Sequence, residues 1–318
     1  MEIEDILQDA KDLISDFRKK HSDWIVIIRW ATATGKSKLS ILLSEFFDTE
    51  IISADSRQIF KYMDIGTDKI PLEIRNKIPH HQIDIIEPDE QYTAGQRQHD
   101  TKRIIKEIQS RNKLPMIVGG TGLYIDTIYK NFTMPSAEPN PTLRDELYAQ
   151  EESDPWSLHK ELMNVDPEEA SKIHPKSTRY LVRALEIYKT TGEKKSDTFI
   201  QQEVDQPILM IGLRRDKEET NKKINARIKE MLKWWLIEEV KWLLAKWYTA
   251  DLQSMQGIGY KETVEYLTSR DHLIGKLEED LKKATHHLAK KQRTRFRRYV
   301  AEGNAAPKKN VSYKVFEL

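Results

Sequence analysis

The sequence Ala31-Thr-Ala-Thr-Gly-Lys-Ser37 follows the apolar run Trp24-Ile-Val-Ile-Ile28 and precedes apolar residues at helical spacing that begin at Leu39. An apolar strand, a loop ending in Gly-Lys-Ser and then a helix is the order found in phosphate-binding loops. In that arrangement the backbone N–H groups of the loop surround an anion, and the helix N-terminus adds its dipole. The spacing predicts a phosphate site in which Lys36 contacts the terminal phosphates and the Ser37 hydroxyl binds Mg²⁺.

One position of this loop departs from the full pattern. Trp30 stands five residues before Gly35, where the pattern has a glycine that permits a tight turn and close backbone approach. A Trp side chain blocks both unless it points away from the loop. A second interpretation is therefore a strand-to-helix turn in which Gly-Lys-Ser occurs by chance, although the flanking strand and helix favour the phosphate site.

Composition narrows the class of protein. With 318 residues, 38% hydrophobic and 32% charged, the chain can fold into one large domain or two smaller ones. Its net charge of +1 means that any affinity for nucleic acid must come from a local basic patch. The absence of cysteine excludes disulfides and thiolate chemistry. Without a signal peptide, or an apolar run near the roughly 18 residues that span a bilayer, we expect a cytoplasmic protein with no membrane partner.

The first half of the chain has the pattern of an α/β fold. Residues 3–17 predict an amphipathic helix, placed in an N-terminal segment 1–22 outside the phosphate-binding unit. Further apolar runs at Glu50–Ala54, His81–Ile86 and Leu114–Val118 alternate with helical segments, including one over about 94–111. This alternation predicts a parallel, doubly wound sheet with helices on both faces.

Polar residues follow two of these strands, at the sheet edge where open α/β folds bind ligands. Asp55-Ser-Arg-Gln58 follows the second strand, and Gly119-Gly-Thr-Gly-Leu-Tyr124 follows the strand at 114–118. Asp55 is a candidate general base, but Asp is also a strong helix N-cap, and position alone does not separate these roles. His80 and His81 suggest a metal pair only weakly, because adjacent residues of a strand point to opposite faces.

The middle of the chain predicts a helical insertion. The proline-rich segment Met134–Pro141 is followed by helical patterns up to about residue 190. We therefore predict a helical subdomain over 135–206, inserted into a core made of 23–134 and 207–318. It carries Arg144, Arg179 and Arg183, which predict either nucleic-acid contacts or an ordinary solvated helix face.

The last third returns to the core. Pro207–Leu213 predicts a strand, Lys217–Lys246 a long helix, and Gln256–Lys261 a glycine-containing turn able to hold a ligand backbone. The final helix has many basic residues and no acid between Asp280 and Glu302, which is typical of a surface for a phosphate backbone. The basic residues are Lys282, Lys283, His286, His287, Lys290, Lys291, Arg293, Arg295, Arg297 and Arg298.

Together these motifs resemble the tRNA dimethylallyltransferase family, also called tRNA isopentenyltransferases. The matching stretches, in family order, are Ala-Thr-Gly-Lys-Ser (33–37), Asp-Ser-Arg-Gln (55–58), Met-Asp-Ile-Gly-Thr (63–67), Pro-His-His (79–81), Gly-Gly-Thr-Gly-Leu-Tyr (119–124), Arg-Ala-Leu-Glu (183–186), Gln-Gly-Ile-Gly-Tyr-Lys-Glu (256–262) and Ala-Lys-Lys-Gln (289–292). Any one of these motifs is weak, but the ordered set is highly specific.

The resemblance implies a phosphate-loop-containing prenyltransferase that moves a dimethylallyl group from its diphosphate to N6 of the adenosine beside the anticodon. It implies Asp55, Thr121 and Lys36 as catalytic residues, with Asp55 accepting the N6 proton. The implied diphosphate (or nucleotide, as ATP) contacts, with Mg²⁺ on Ser37, are Thr32, Ala33, Thr34, Gly35, Lys36 and Ser37. The implied contacts to the tRNA anticodon stem-loop are Asp55, Ser56, Arg57, Gln58, Thr121, Arg144, Arg179, Arg183, Gln256, Gly257, Gly259, Tyr260, Lys261, Lys290, Lys291 and Arg293. The protein is expected to act as a monomer.

The chain departs from the family pattern at several positions. Trp30-Ala31 stands where the family has Gly-Pro, and Trp235 and Trp247 stand where it has Gly. A non-glycine residue in left-handed geometry costs roughly 1–2 kcal/mol, so Trp247 is expected to destabilise a helix cap. Further departures are Arg97 for an aromatic residue, Tyr180 for Arg and Arg295 for Trp.

Three other functions compete with the prenyltransferase. A tRNA-binding protein with a phosphate site damaged by Trp30 is the non-enzyme alternative. A small-molecule kinase shares the loop and the sheet, and a prenyltransferase acting on free adenylate is a close relative. The basic final helix argues against both of these, and the helical insertion argues against the kinase.

Overall fold

The structure is a computed structural model that describes residues 2–134, 138–198, 200, 202–204, 206–305 and 310–318, with the backbone alone for 300–305. Pro135, Ser136 and Ala137 of the predicted proline-rich break lie outside these residues. The chain divides into two compact units, one formed by Met1–Tyr129 with Val204–Leu318 and the other by Lys130–Glu203.

The first unit contains a parallel sheet. Its described residues form six strands in the order β3-β2-β4-β1-β5-β6, all parallel. The strands are β1 Ile25–Arg29, β2 Thr49–Ser53, β3 His80–His81, β4 Leu114–Gly119, β5 Ile208–Arg214 and β6 Val311–Glu317. Strands covered on both faces are continuous apolar runs, and β1, β2 and β4 are buried along their whole length. The predicted doubly wound α/β fold is confirmed.

Helices, numbered along the whole chain, cover both faces of this sheet. Those of the first unit are α1 Ile3–Lys20, α2 Lys36–Ser44, α3 Leu72–Arg75, α4 Ala94–Ser110, α5 Gly122–Tyr129, α11 Lys217–Lys233, α12 Leu236–Ala245, α13 Tyr260–Thr268 and α14 Ile274–Ala305. None of the described helices is both long and apolar enough to cross a membrane.

Two predictions about this unit were wrong in detail, and one strand was missed. The strand expected over His81–Ile86 has only its first residue in β3, because Gln82 and Asp84 adopt left-handed backbone at φ 61° and 55°. The helix expected over Lys217–Lys246 is broken between α11 and α12, where Trp235 has φ 77°. The edge strand β6 was not predicted at all.

The N-terminal helix also differs from expectation. We predicted that it lies outside the phosphate-binding unit, but its apolar face is buried in the core of that unit. Ile3, Ile6, Ala10, Ile14 and Phe17 form this face. Burying them is what makes a helix with such an apolar stripe stable in water.

The second unit is helical and has its own core. Its helices are α6 Pro141–Ser153, α7 Ser157–Val165, α8 Pro167–Lys172, α9 Thr178–Thr191 and α10 Lys195–Thr198. The core is built mainly from Leu147, Leu158, Leu162, Leu181 and Leu185. Two of the helices have side-chain N-caps, since Asn140 Oδ1 accepts from the Leu143 amide at 3.1 Å and Asp166 Oδ1 from the Glu169 amide at 3.1 Å.

A candidate phosphate-binding and catalytic site

A cavity of about 730 Å³ in the first unit lies at the carboxyl ends of β1, β2 and β4. The loop between β1 and α2 lines it together with the segments after β2 and β4. In parallel sheets these strand ends meet at one edge, which is why three motifs distant in sequence share one cavity. The cavity therefore brings together Lys36, Ser37, Asp55 and Thr121, as the sequence predicted.

The loop preceding α2 turns into the helix through left-handed backbone at Gly35. Gly35 is the N-cap of α2 with φ 96°, a conformation that favours glycine. A Cβ there would also lie 2.7 Å from Ile3 Cδ1, so α1 seals the back of the loop. Thr34 Oγ1 and Lys36 Nζ both donate to the Ala31 carbonyl, at 3.0 and 2.7 Å. These bonds close the loop on itself in front of the helix N-terminus.

The indole of Trp30 points away from this loop. It is 1% exposed and stacks on Phe296 of α14, with ring centroids 6.0 Å apart. Room for the indole exists because Gly212 of β5 has no side chain; a Cβ there would lie 3.1 Å from the Trp30 ring. The indole nitrogen is buried without a hydrogen-bond partner, which costs about 1–3 kcal/mol. The buried Trp30 indole therefore costs the core one unsatisfied hydrogen-bond donor, but it does not block the side of the loop that would face a phosphate.

The charge of Lys36 is tuned by its surroundings. The pKa of Lys36 is lowered to about 8, mainly by burial; Arg227 acts in the same direction, while Asp55 and Asp68 oppose the shift. An ammonium group held in partial desolvation attracts an anion more strongly than one in water. The basic side chains that line the cavity outnumber the two carboxylates of Asp55 and Asp68, and a bound diphosphate would balance this excess of positive charge.

Asp55 and Thr121 are held by backbone hydrogen bonds between the two strand ends. Asp55 Oδ1 accepts from the Arg57 amide at 2.8 Å, and Thr121 Oγ1 accepts from the Ser56 amide at 3.1 Å. The Thr121 amide donates to the Ala54 carbonyl at 3.0 Å. Gly119 makes this closeness possible, because a Cβ there would lie 2.2 Å from the same carbonyl oxygen. One carboxylate and one hydroxyl are thus fixed side by side in the cavity.

Comparison with known proteins identifies the family. The model of the IPP transferase family matches residues 58–299. A tRNA dimethylallyltransferase of Thermoanaerobacter sp. is 44% identical over 285 residues, which cover 86% of this chain and 89% of the relative. The enzyme of the same name from Pelotomaculum thermopropionicum is 42% identical over 277 residues, covering 86% and 88%. The chain belongs to the tRNA dimethylallyltransferase family.

Solved structures of the family have the same fold. The full-length tRNA isopentenylpyrophosphate transferase of Bacillus halodurans superposes with a TM-score of 0.64 at 35% identity, covering 93% of this chain and 90% of that one. A eukaryotic dimethylallyltransferase, solved acting on tRNA, has a TM-score of 0.76 at 28% identity, covering 93% and 74%. The resemblance inferred from the ordered motifs is confirmed.

Several cavity residues were missed by the sequence analysis. Gln292 of α14 bridges two loops, since its Oε1 accepts from the Thr32 amide at 2.8 Å and its Nε2 donates to the Gly120 carbonyl at 3.0 Å. Arg227 and Lys223 of α11 face the phosphate loop, and Arg227 pairs with Asp68 at 2.9 Å. The signal for Gln292 was the 289–292 motif, whereas Arg227 and Lys223 lie on a helix without any motif.

Some of the residues expected to contact tRNA line the cavity, whereas others are hydrogen-bonded or buried inside the protein. Gln256 and Gly259 line the cavity, and Gly257 packs on Arg57, whose guanidinium donates to the Gln253 carbonyl at 2.6 Å. Gln58 is engaged within the protein, because its amide donates to the carbonyls of Thr67 and Asp68 at 3.2 Å. Tyr260 is only 1% exposed, so its side chain is not a surface contact.

Basic side chains of the final helix, α14, line two different depressions of the surface. Lys291 and Arg295 line the cavity, whereas Lys290 and Arg293 line a separate groove of about 1110 Å³, together with Lys261 of α13. Arg295 is paired with Asp126 at 2.5 Å. The helix therefore lines both the cavity and this groove, whose walls carry basic and acidic side chains.

Two of the three arginines predicted in the helical unit have an internal partner. Arg144 binds Glu186 through two bonds of 2.8 and 3.0 Å, and Arg183 binds the same carboxylate at 2.6 Å. Burial raises the pKa of Glu186, but hydrogen bonds from Arg144, the Asn140 amide and Arg183 outweigh it and hold that pKa below its usual range. Arg179 is exposed.

Arg97 lies just behind the cavity. It is buried, donates to the Ser53 carbonyl at the end of β2, and lies 4.2 Å from the centre of the Tyr124 ring. Burial lowers the pKa of Arg97 to about 10. A cation thus occupies an apolar position under the strand end, held by one carbonyl and one aromatic face.

Proposed function

We propose that this chain transfers the dimethylallyl group of dimethylallyl diphosphate to N6 of the adenosine adjacent to the anticodon in tRNA. The observation that carries the proposal is one cavity in which a Gly-Lys-Ser loop faces a carboxylate and a hydroxyl. Family membership supports the same reaction, since relatives 41–44% identical are named tRNA dimethylallyltransferases.

The diphosphate is proposed to bind the loop of residues 32–37. Its amides at the start of α2 and the Lys36 ammonium would neutralise the charge that grows on the diphosphate as it leaves. Lys223 and Arg227 line the same cavity and would add positive charge. Stabilising the leaving diphosphate is the main requirement of the reaction, because the bond from carbon to diphosphate oxygen must break.

Mg²⁺ fits this loop as a partner of the substrate. The Ser37 hydroxyl, at the first turn of α2, lines the cavity along with the carboxylates of Asp55 and Asp68, and Mg²⁺ prefers oxygen ligands. Among the described residues, no group of three or more acidic or histidine side chains could hold a metal by itself. Ser37 would therefore hold the ion together with phosphate oxygens and water, and the ion would supply further charge neutralisation.

Asp55 is proposed as the general base. The N6 nitrogen of adenosine attacks C1 of the dimethylallyl group, the bond from C1 to the diphosphate oxygen breaks, and the N6 proton passes to Asp55. The bond from the Arg57 amide fixes one oxygen of the Asp55 carboxylate, and the second oxygen is proposed to take this proton. Thr121, fixed beside Asp55, is proposed to orient the adenine.

Recognition of tRNA is proposed to use positive charge in both units. A base in an anticodon loop must be extruded from its stack before it can enter a cavity. Arg179, with the Glu186-paired Arg144 and Arg183, is proposed to contact the phosphate backbone, as are Lys261, Lys290, Lys291 and Arg293. The glycine turn 256–259 and residues 56–58 are proposed to contact the nucleotides nearest the cavity. We also propose that the protein acts in the cytoplasm as a monomer.

The alternatives from the sequence are not supported. The damaged-loop hypothesis required the Trp30 indole to block the phosphate loop, and that indole is buried against Phe296. The small-molecule kinase hypothesis is disfavoured by family membership over most of the chain.

Transfer of labelled dimethylallyl from its diphosphate to an unmodified anticodon stem-loop, with Mg²⁺, tests the proposal. We expect transfer by the wild type and a loss of at least 100-fold in Asp55→Ala, with pyrophosphate and stem-loop binding retained. The exposed Asp89→Ala is the matched control and should react normally. Absence of transfer by a wild type that binds both ligands would refute the proposed function.

A further inference from the structure

The carboxylate of Glu239 in α12 gathers four hydrogen-bond donors. Its Oε2 accepts from the amides of Asp64 and Ile65, both at 2.8 Å. Its Oε1 accepts from the Gly66 amide at 3.2 Å and from the Tyr260 hydroxyl at 2.8 Å. Bonds from N–H and O–H donors to a charged carboxylate are among the stronger ones in proteins. Three consecutive amides are thus fixed by one side chain that is more than 170 residues away in sequence.

Tyr260 belongs to the same arrangement. Its ring packs so closely on the backbone of Gly66 that a Cβ there would lie 2.5 Å from the ring edge. The hydroxyl is buried and bonded to Glu239, and burial raises the pKa of Tyr260 well above its usual value. The neutral phenol therefore persists as a donor to the carboxylate. These contacts explain why a tyrosine in a glycine-rich turn faces the interior.

The segment 64–68 held in this way forms part of the cavity wall. Gly66, Thr67 and Asp68 all line the cavity that contains Lys36. Asp68 pairs with Arg227 at 2.9 Å and raises the pKa of Lys36 against the effect of burial. A shift of the segment would move Asp68. Arg227 would then lose the partner that orients it, and the pKa of Lys36 would lose the raising effect of Asp68.

The segment is also anchored from its other side. Lys69 is buried and donates to Asp64 at 2.6 Å, to the Phe60 carbonyl at 2.7 Å and to Asp84. Lys69 ties the Asp64 side chain, at the start of the segment, to Phe60 and Asp84 outside it, whereas Glu239 binds the backbone amides of residues 64–66. Removing the Glu239 bonds should therefore loosen this part of the backbone without unfolding the loop.

We propose that Glu239 and Tyr260 are positioning residues for the diphosphate site. They hold segment 64–68 so that Asp68 and Arg227 face the phosphate loop, and neither side chain touches substrate. This assignment rests on the proposed function for the identity of the substrate. Under this proposal Tyr260 acts inside the protein, through its bond to Glu239, and not as the tRNA contact that the family resemblance implied.

Glu239→Gln and Tyr260→Phe test this inference, with Glu238→Gln as the matched control. Gln has the shape of Glu but turns two N–H donors toward backbone amides, and Phe keeps the ring on Gly66 while removing one donor. Glu238 is the neighbouring residue of α12, is exposed and pairs with Lys241, so its variant should behave as wild type.

We expect Glu239→Gln to weaken pyrophosphate binding in calorimetry about tenfold and to raise the KM for dimethylallyl diphosphate by a similar factor. The kcat should fall by less than threefold, stem-loop affinity should stay within twofold, and hydrogen exchange at the amides of 64–66 should accelerate at least tenfold. Tyr260→Phe should give the same pattern at about threefold.

Unchanged pyrophosphate affinity and exchange in Glu239→Gln would overturn the inference. So would a Tyr260→Phe variant that loses stem-loop affinity while its KM for the diphosphate stays normal. Pyrophosphate binding and hydrogen exchange do not require catalysis, so these outcomes remain distinct from a failure of the transfer reaction itself.

Discussion

Replacing Trp235 and Trp247 by glycine should stabilise the protein. Both residues have left-handed backbone, with φ 77° and 69°, a region in which a side chain clashes with the following carbonyl. Trp235 precedes α12 and Trp247 follows it, at the kind of helix boundary where glycine is common. Their side chains are 68% and 89% exposed, so little apolar burial would be lost.

The expected gain follows from two opposing contributions. Relief of left-handed strain is worth roughly 1–2 kcal/mol at each position. Glycine makes the unfolded chain more flexible, which offsets about 0.4–1 kcal/mol at each position. The free energy of unfolding of the double variant should therefore rise by about 1.5 kcal/mol, and by at most about 3 kcal/mol, with a rise in Tm of roughly 2–4 °C.

Thermal and urea unfolding of the double variant, followed by circular dichroism, measure this gain. Trp234→Gly is the matched control, because Trp234 is an exposed neighbour with an ordinary φ of −95°. It relieves no strain and loses the bond from the indole to Glu230 at 2.7 Å, so it should destabilise by about 0.5–1 kcal/mol. An unchanged or lower Tm in the double variant, or an equal gain in Trp234→Gly, would refute the strain argument.

Three further predictions concern the site and the helical unit. Because burial lowers the pKa of Lys36 to about 8, Lys36 loses its charge as the pH rises through that value, and kcat/KM for the diphosphate should fall there; a Lys36→Met variant should be slower and lack this inflection. Gln292→Leu leaves the Thr32 amide and the Gly120 carbonyl without their partner, at about 1–3 kcal/mol each, so both its Tm and its affinity for pyrophosphate should drop; equal values to wild type would contradict the bridging role. The folded pKa of Glu186 is lowered, so its stabilising contribution is complete above its unfolded value and is lost as the pH falls through its folded pKa; the stability difference between wild type and Glu186→Gln should shrink below about pH 4, and a constant difference would argue against the ion pairs.

The sequence predicted those parts of the fold whose signal is local. β1, β2 and β4 were found because strands buried on both faces are continuous apolar runs ending in polar motifs. The meeting of Lys36, Asp55 and Thr121 followed from the rule that parallel strands place their carboxyl ends at one edge.

One missed feature had a local signal, and the others depend on tertiary contacts. Strand β6 alternates apolar Val311, Tyr313 and Val315 with polar residues, a strand pattern that was overlooked, and it pairs with β5 Ile208–Arg214. The break at Trp235 was missed because Trp is an unusual residue for left-handed backbone, although the family pattern has Gly at this position. Glu239 and Arg227 lie on regular helices, where a carboxylate or guanidinium is ordinarily solvated, so their partners were visible only after folding.

The contacts of α14 with the phosphate loop have a consequence for how this protein can be divided. Phe296 packs on the Trp30 indole, and Gln292 accepts a hydrogen bond from the Thr32 amide. The basic helix α14 therefore also supports the phosphate loop. A chain cut before α14 would expose Trp30 to water and free the loop, and it would not persist as a small phosphate-binding module. A substitution in α14 that is meant to alter the proposed nucleic-acid surface can therefore also disturb the proposed diphosphate pocket, because the same helix supports the loop.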